Sequence, residues 1–181
     1  MMTDAQAIFV PISSPLTMST GTGGATATPW IDLLGQGVGT APVAIIGTTA
    51  LFGMDWGIGK QQLELIATVS TAFTTGTAAT LTAQFQVAPD TGSAGGYNPG
   101  TPVTLLEQPG IAAANLGLGA TFARFDWPPV IPLTLRPRFA RMNFVAAAAT
   151  SFTAGAIGFA GVVLCRDDQA NRQAAKNFAV A

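Results

Sequence analysis

Charged residues are scarce in this sequence of 181 residues, since eight Lys and Arg and nine Asp and Glu make up only 9% of the chain. About a quarter is usual in a soluble domain. The net charge of −1 provides no overall field that would attract nucleic acid or an anionic membrane, so we expect neither as a partner. A free protein usually keeps more charge for colloidal stability, and the shortage therefore favours a component of an assembly.

Histidine is absent, and Cys165 is the only cysteine. These two facts exclude a disulfide within one chain, a zinc site built from Cys and His, and every His-based catalytic triad. The opening residues, MMTDAQAIFV, contain an acid and no basic segment ahead of their short apolar stretch. We therefore expect no signal peptide, and synthesis in the cytoplasm.

Motifs for catalysis or cofactor binding are also missing. The glycine clusters GTGG (21–24) and GQGVG (35–39) lack the Lys with Ser or Thr that a phosphate-binding loop needs. Carboxylate pairs of the glycosidase type are not recognisable, because the candidate acids fall on different predicted elements: Asp55, Glu64, Asp90, Glu107 and Asp126. We expect no enzyme, no metal and no cofactor.

The pattern that is present has a period of two. In TLTAQFQV (80–87), apolar residues alternate with Thr and Gln, which predicts a half-buried strand. The segment LELIATVS (63–70) also alternates, and the Thr-rich link between the two segments predicts that they pair as a hairpin. The link recurs 79 positions later, where Phe152, Thr153 and Gly155 repeat Phe73, Thr74 and Gly76.

Residues 142–165 carry no formal charge and are long enough for a membrane helix. Such a helix would include four polar residues and three glycines and would have no interfacial Trp or Tyr, so we do not expect it. We predict two strands instead, Arg138 to Val145 and Ala156 to Leu164. The second is apolar on both faces, with Ile157, Phe159 and Val163 on one side and Val162 and Leu164 on the other. This predicts either a central strand that is covered above and below or a strand with one face against another protein.

Further strands are predicted at Ile31 to Leu34, Val43 to Phe52, Val103 to Glu107 and Ala120 to Trp127. About eight strands with no intervening helices predict an all-β fold, either an antiparallel β-sandwich or a closed barrel. We expect one domain, 1–181, with a core at about 30–165 and an N-terminal arm at 1–29. The tail, 166–181, is predicted to be a short helix or an extended arm.

Three arginines cluster before and within one predicted strand. Alternation places Arg136 and Arg138 on one face and Arg141 on the other. They either pair with local acids such as Asp126 or contact an acidic patch on a partner protein. Four aromatic side chains are candidates for interface anchors, although burial in the chain's own core is the commoner fate of each one taken singly: Trp30, Trp56, Trp127 and Phe178.

Four segments, in order, resemble the small β-sandwich cement (decoration) proteins of tailed-phage capsids. They are DAQAI, IDLLGQGVG, LELIATVSTAFTTGTAATLTAQFQVAPD and RFARMNFVAAAATSFTAGAIGFAGVVL. The most specific parts are two repeated units, in each of which an F-T-x-G motif links two predicted strands. The segment RFARMNF is also specific, because it is similar to the arginine-bearing RYLRLNY pattern of that family. The resemblance covers most of the chain.

The resemblance implies a jelly-roll-like sandwich without catalytic residues. It would sit on the outer surface of the virion head and clamp neighbouring major capsid protein subunits against the pressure of packed DNA. We expect it to self-associate, as a homodimer first and a trimer second. The arm and the tail are expected to contact the capsid, and the interface residues are expected to be Asp4, Gln6, Trp30, Arg136, Arg138, Arg141, Arg172 and Phe178. The alternative is a phage tail or fibre module that binds a receptor or carbohydrate.

Overall fold

The computed structural model describes residues 2–18, 24–33, 63–91, 98–127, 135, 137–147 and 151–164. These residues form ten β-strands and one short 3-10 helix, Ala113–Asn115. The strands are β1 (Met2–Val10), β2 (Leu16–Thr17), β3 (Ala25–Ala27), β4 (Ile31–Asp32), β5 (Leu63–Thr75), β6 (Thr80–Ala88), β7 (Val103–Ala112), β8 (Thr121–Trp127), β9 (Phe139–Ala146) and β10 (Phe152–Leu164).

The strands form two sheets that pack face to face. Sheet A has the order β1-β10-β5-β8, with β2 also paired to β10, and sheet B has the order β3-β9-β6-β7, with β4 also paired to β9. All of these pairings are antiparallel. Each sheet thus has five strands, and the interleaved order of the four main strands in each is the connectivity of a jelly roll. The predicted jelly-roll-like antiparallel β-sandwich is therefore confirmed.

The predicted hairpin between the first repeated strands is wrong. Strands β5 and β6 lie in different sheets, and so do β9 and β10. The actual partners come from the two repeats, since β5 pairs with β10 and β6 pairs with β9. Each of these strands has one apolar face. When the link crosses from one sheet to the other, the apolar faces of the two strands that it joins meet across the core. In a hairpin the two strands would lie in one sheet, and their apolar faces would point to the same side of that sheet.

The two links pack against each other where they cross between the sheets. The rings of Phe73 and Phe152 meet edge to face, with 4.9 Å between their centroids. The Oγ1 atoms of Thr74 and Thr153 are 2.7 Å apart. The Oγ1 atom of Thr75 donates to the carbonyl oxygen of Ser151 at 3.0 Å. The repeated sequence motif therefore marks the two links between the sheets, and the contacts between these links stabilise both.

The core lies between the inner faces of the two sheets. Its largest fully buried side chains include Phe85, Phe144, Leu65, Leu81 and Met142. The Phe85 ring contacts the rings of Phe9 and Trp127 edge to face, at centroid distances of 5.9 Å and 5.1 Å. Alanines on the inner faces leave room for these rings, because small and large side chains fill the space between sheets together.

Strand β10 is buried on both faces, which agrees with the first of its two predicted environments, but its side chains divide differently. Ile157, Ala160 and Val162 belong to the main core, whereas Phe159 and Val163 form a separate buried cluster with Ile66 on the outer face of sheet A. The register against β5 shifts between Ile157 and Phe159. A bulge of this kind moves all later side chains to the opposite face, which simple alternation did not anticipate.

The predicted segment boundaries need several corrections. Residues 1–29, expected as an arm, contribute β1, β2 and β3 to the two sheets. The strand expected at Ile31 to Leu34 ends at Asp32, and the one expected at Val103 to Glu107 continues to Ala112. The strand predicted at Val43 to Phe52 and the C-terminal tail lie outside the described residues. Within the described ranges, no helix has the length and apolarity required to cross a membrane.

Candidate functional site

The outer face of sheet B is polar where β6 and β9 meet, whereas the outer face of sheet A holds the buried cluster of Ile66, Phe159 and Val163 beside the ion pair of Glu64 and Arg124. Because side chains alternate along a strand, β6 directs Gln84 and Gln86 outward while Leu81, Ala83, Phe85 and Val87 face the core. On the neighbouring strand, Asn143 stands opposite Gln84 and Arg141 stands opposite Gln86. Directly opposed residues lie on the same face of a sheet, so the four polar side chains come together.

Three amide side chains, Gln84, Gln86 and Asn143, form a connected network that we call the amide ladder. The Oε1 atom of Gln84 accepts hydrogen bonds from Nε2 of Gln86 at 3.0 Å and from Nδ2 of Asn143 at 2.8 Å. Its Nε2 atom donates to Glu107 at 2.8 Å, and Nε2 of Gln86 also donates to Thr104 at 3.3 Å. Gln86 and Asn143 are buried, and a satisfied polar network of this kind keeps its members rigid.

Arg141 is anchored at one end of the amide ladder. Its Nε atom donates to Oε1 of Gln86 at 2.9 Å, and its Cζ atom lies 4.3 Å from the centroid of the Trp30 ring. The Trp30 ring in turn meets Phe139 edge to face at 6.5 Å. Partial burial lowers the pKa of the guanidinium through desolvation, although an arginine remains protonated at neutral pH. The side chain is therefore a positive charge held in one orientation.

Within the part of the chain that the structure describes, the terminal Nη1 and Nη2 atoms of Arg141 have no hydrogen-bond partner and are available for a ligand. Among the described residues, the hydrogen bond to Gln86 and the stacking on Trp30 are the contacts that Arg141 makes through its side chain. A guanidinium binds carboxylates in a two-point geometry through its N–H groups. This edge of the group could thus accept a carboxylate of a partner without breaking a bond inside the chain.

Arg138 has a different role, because its donors are used within the chain. Its Nε and Nη2 atoms donate to the two carboxylate oxygens of Asp32, at 3.0 Å and 2.9 Å, and Nη1 donates to Asp90 at 3.0 Å. The side chain is only 16% exposed. Pairing with local acids is thereby confirmed for Arg138, but the acids are Asp32 and Asp90, and not Asp126. The ion pairs join β4 to the segment that follows β6.

We expect Arg138→Met to lower the free energy of unfolding by about 2–3 kcal/mol, because it leaves two partly buried carboxylates without their cation. The matched control is Arg124→Met. Arg124 is 60% exposed and pairs with a single carboxylate, that of Glu64 (19% exposed), at 3.2 Å without a hydrogen bond, so its loss should cost clearly less than the loss of Arg138, about 1 kcal/mol. Urea denaturation followed by circular dichroism measures both values. Equal losses in the two variants would contradict the structural role of Arg138.

The structure brings together three of the residues expected at an interface, Trp30, Arg138 and Arg141. Asp4 and Gln6 lie on β1, in the opposite sheet. Arg136, Arg172 and Phe178 lie outside the described residues. Trp127, one of the aromatic candidates, is buried in the core.

Sequence reasoning missed the amide ladder, although a signal was present. Alternation already placed Gln84 and Gln86 on the polar face of one strand, and Asn143 two residues after Arg141 on the same face of another. The alternation within each strand does not show which strands lie next to each other in the sheet. Only the pairing of β6 with β9 makes these side chains contact one another.

The fold and this face define the chain as an antiparallel β-sandwich of jelly-roll connectivity with a polar network on one outer face. No protein-family model matches the sequence, and no curated protein matches it either. Within the part of the chain that the structure describes, no group of three or more His, Cys, Asp or Glu residues could hold a metal ion.

Proposed function

We propose that this protein is a structural cement protein of a tailed-phage head. It binds the outer surface of the capsid, clamps adjacent major capsid protein subunits and raises the pressure that the head withstands. The observation that carries this proposal is the fixed guanidinium of Arg141 on the outer face of sheet B, at the centre of the RFARMNF strand on which the resemblance to cement proteins rests. The location would be the virion surface.

A pre-organised face suits this role for an energetic reason. Ordering long side chains at an interface costs free energy, and the amide ladder has already ordered Arg141 before any partner binds. One contact of this kind is modest in strength. Icosahedral repetition, together with self-association of the cement protein, multiplies modest contacts through avidity.

Arg141→Ala should raise the apparent dissociation constant for heads that lack the protein by roughly tenfold or more, since it removes the cation that faces the partner's carboxylate. Arg124→Ala is the matched control, because Arg124 is an exposed arginine on the outer face of sheet A. We expect it to change binding by less than about threefold. Quantitative pelleting of labelled protein with heads measures both, and equal effects would remove sheet B as the docking face.

Two measurements test the function itself: the number of copies of the protein per virion, and the conditions under which heads rupture with and without the protein. Hundreds of copies per virion on heads without tails would support a cement protein, whereas a dozen or fewer would indicate a tail component. Heads stripped of the protein should rupture at lower temperature and smaller osmotic shock, and re-addition should restore both thresholds. Unchanged thresholds would overturn the proposal.

The receptor-binding or carbohydrate-binding alternative gains no support from Trp30. Sugars usually stack on an open aromatic face, but the Trp30 ring is stacked by the guanidinium of Arg141 and meets the edge of Phe139. Binding of the isolated protein to a glycan array would revive the alternative.

A further inference from the structure

The main strands of sheet B carry one charge of each sign. The sequences of β3, β6, β7 and β9 contain no charged residue besides Arg141 on β9 and Glu107 on β7. Both lie on the outer face of the sheet. Arg141 stands opposite Gln86 and Glu107 stands opposite Gln84, and these two glutamines point outward from β6, which lies between the two strands. The outer face of sheet B therefore presents a cation and an anion on either side of β6.

A continuous chain of hydrogen bonds within the amide ladder joins these two charges. Nε of Arg141 donates to Oε1 of Gln86 at 2.9 Å, and Nε2 of Gln86 donates to Oε1 of Gln84 at 3.0 Å. Nε2 of Gln84 then donates to Oε2 of Glu107 at 2.8 Å. Each amide thus turns its oxygen towards the cation and its nitrogen towards the anion. Hydrogen bonds aligned in one direction polarise one another, and the chain restrains the charged side chains at both of its ends.

Both ends of this chain retain atoms that can bind a partner. Glu107 is exposed, and among the described residues the hydrogen bond from Gln84 is its one contact, so its Oε1 atom is available. Arg141 offers Nη1 and Nη2 in the same way. Two interstrand spacings and an offset of two positions place the Cα atoms of the two residues roughly 12 Å apart. Each charge is bonded to an amide and not to the other charge, so each can meet an opposite charge on another molecule.

We infer that Glu107 is a second contact residue of the capsid-binding face, and that the capsid surface presents one acidic and one basic side chain at a matching spacing. The inference rests on the proposed function and names the chemistry of the partner: a carboxylate meets Arg141, and a Lys or Arg meets Glu107. Opposite charges placed against each other fix the register of an interface, and like charges are rejected. A head surface of this kind accepts the face in one orientation and repels it after half a turn. The two charges therefore determine how the protein is oriented on the head.

Two substitutions of Glu107 test the inference. Glu107→Gln keeps an oxygen that accepts from Gln84 but removes the charge, and it should raise the apparent dissociation constant for heads about threefold. Glu107→Lys should raise it roughly tenfold or more, because the lysine repels the partner's basic group. The matched control is Asp126→Lys, which makes the same change of net charge at an exposed acid on sheet A and should change binding less than about twofold. Pelleting of labelled protein with heads measures all of these values, and the effect of Glu107→Lys should shrink at high salt.

A double-mutant cycle separates direct contact from positioning. If Glu107 contacts the partner itself, the effects of Glu107→Gln and Arg141→Ala on the dissociation constant should multiply. Circular dichroism with thermal unfolding establishes that each variant is folded. Three results would overturn the inference and leave the proposed function intact: equal effects of Glu107→Lys and Asp126→Lys, no effect of Glu107→Gln once Arg141 is replaced, or loss of an oligomer in Glu107→Lys with unchanged head binding. A wild type that does not bind heads would overturn the proposed function, and the inference with it.

Discussion

Gly155→Ala is expected to lower the free energy of unfolding by about 3 kcal/mol or more. A Cβ atom built on Gly155 would lie 2.5 Å from Cδ1 of Phe73, and Gly155 has a φ of +148°, which side chains other than glycine rarely adopt. The ring cannot move away easily, because it is buried against Phe152. Chemical denaturation of the wild type and the variant measures the loss.

The repeat supplies the control for this experiment. Gly76 occupies the equivalent position in the first F-T-x-G motif, but a Cβ atom there meets nothing within 4 Å and its φ is not positive. Gly76→Ala should therefore be neutral or slightly stabilising, because it reduces the freedom of the unfolded chain. A similar loss at both glycines would show that the two crossings are not packed as described.

A double-mutant cycle identifies the clash itself. If the ring of Phe73 causes part of the loss, then Gly155→Ala should cost less in a Phe73→Leu background than in the wild type, with a coupling of about 1 kcal/mol. Simple additivity of the two substitutions would assign the whole effect to the backbone conformation of Gly155.

Phe85→Ala is expected to cost about 3–5 kcal/mol, which could remove most of the stability of a domain of this size. Phe85 is fully buried and contacts Phe9 and Trp127, which both lie on sheet A, from its own position on sheet B. Its removal leaves a cavity between the two sheets, and surrounding side chains fill such a space only in part. Thermal and urea unfolding both report the loss.

Phe85→Leu is the matched substitution, since it keeps most of the apolar volume and should cost about 1–2 kcal/mol. If Phe85→Leu were as damaging as Phe85→Ala, the edge-to-face ring contacts would dominate over cavity formation. If both were mild, the two sheets would not be held together at this point.

The outer faces of the two sheets differ in chemistry. The outer face of sheet A is occupied by the buried cluster of Ile66, Phe159 and Val163. The outer face of sheet B presents Arg141, fixed by Gln86 and Trp30. One outer face is therefore apolar where β5 and β10 meet, and the other presents a positive charge in a fixed orientation.

The sequence alone was sufficient to predict the fold class. Alternation with period two, frequent turn residues and the lack of a helical period all arise from local chemistry, and local chemistry is readable residue by residue. The arginine-bearing strand was predicted to within one residue of its observed range, Phe139–Ala146. The F-T-x-G repeat also located both links, although the pattern was interpreted as hairpin connections and the links in fact cross between the sheets.

The partners of each strand were decided only by the tertiary structure. A strand with one apolar face can pair with its neighbour in sequence or cross to the other sheet, and both choices bury the same residues. The crossing is selected because it brings Phe73 against Phe152 and Leu65, Phe85 and Met142 into one core. The amide ladder and the ion pairs of Arg138 follow from that choice, because each joins residues that are distant in the sequence.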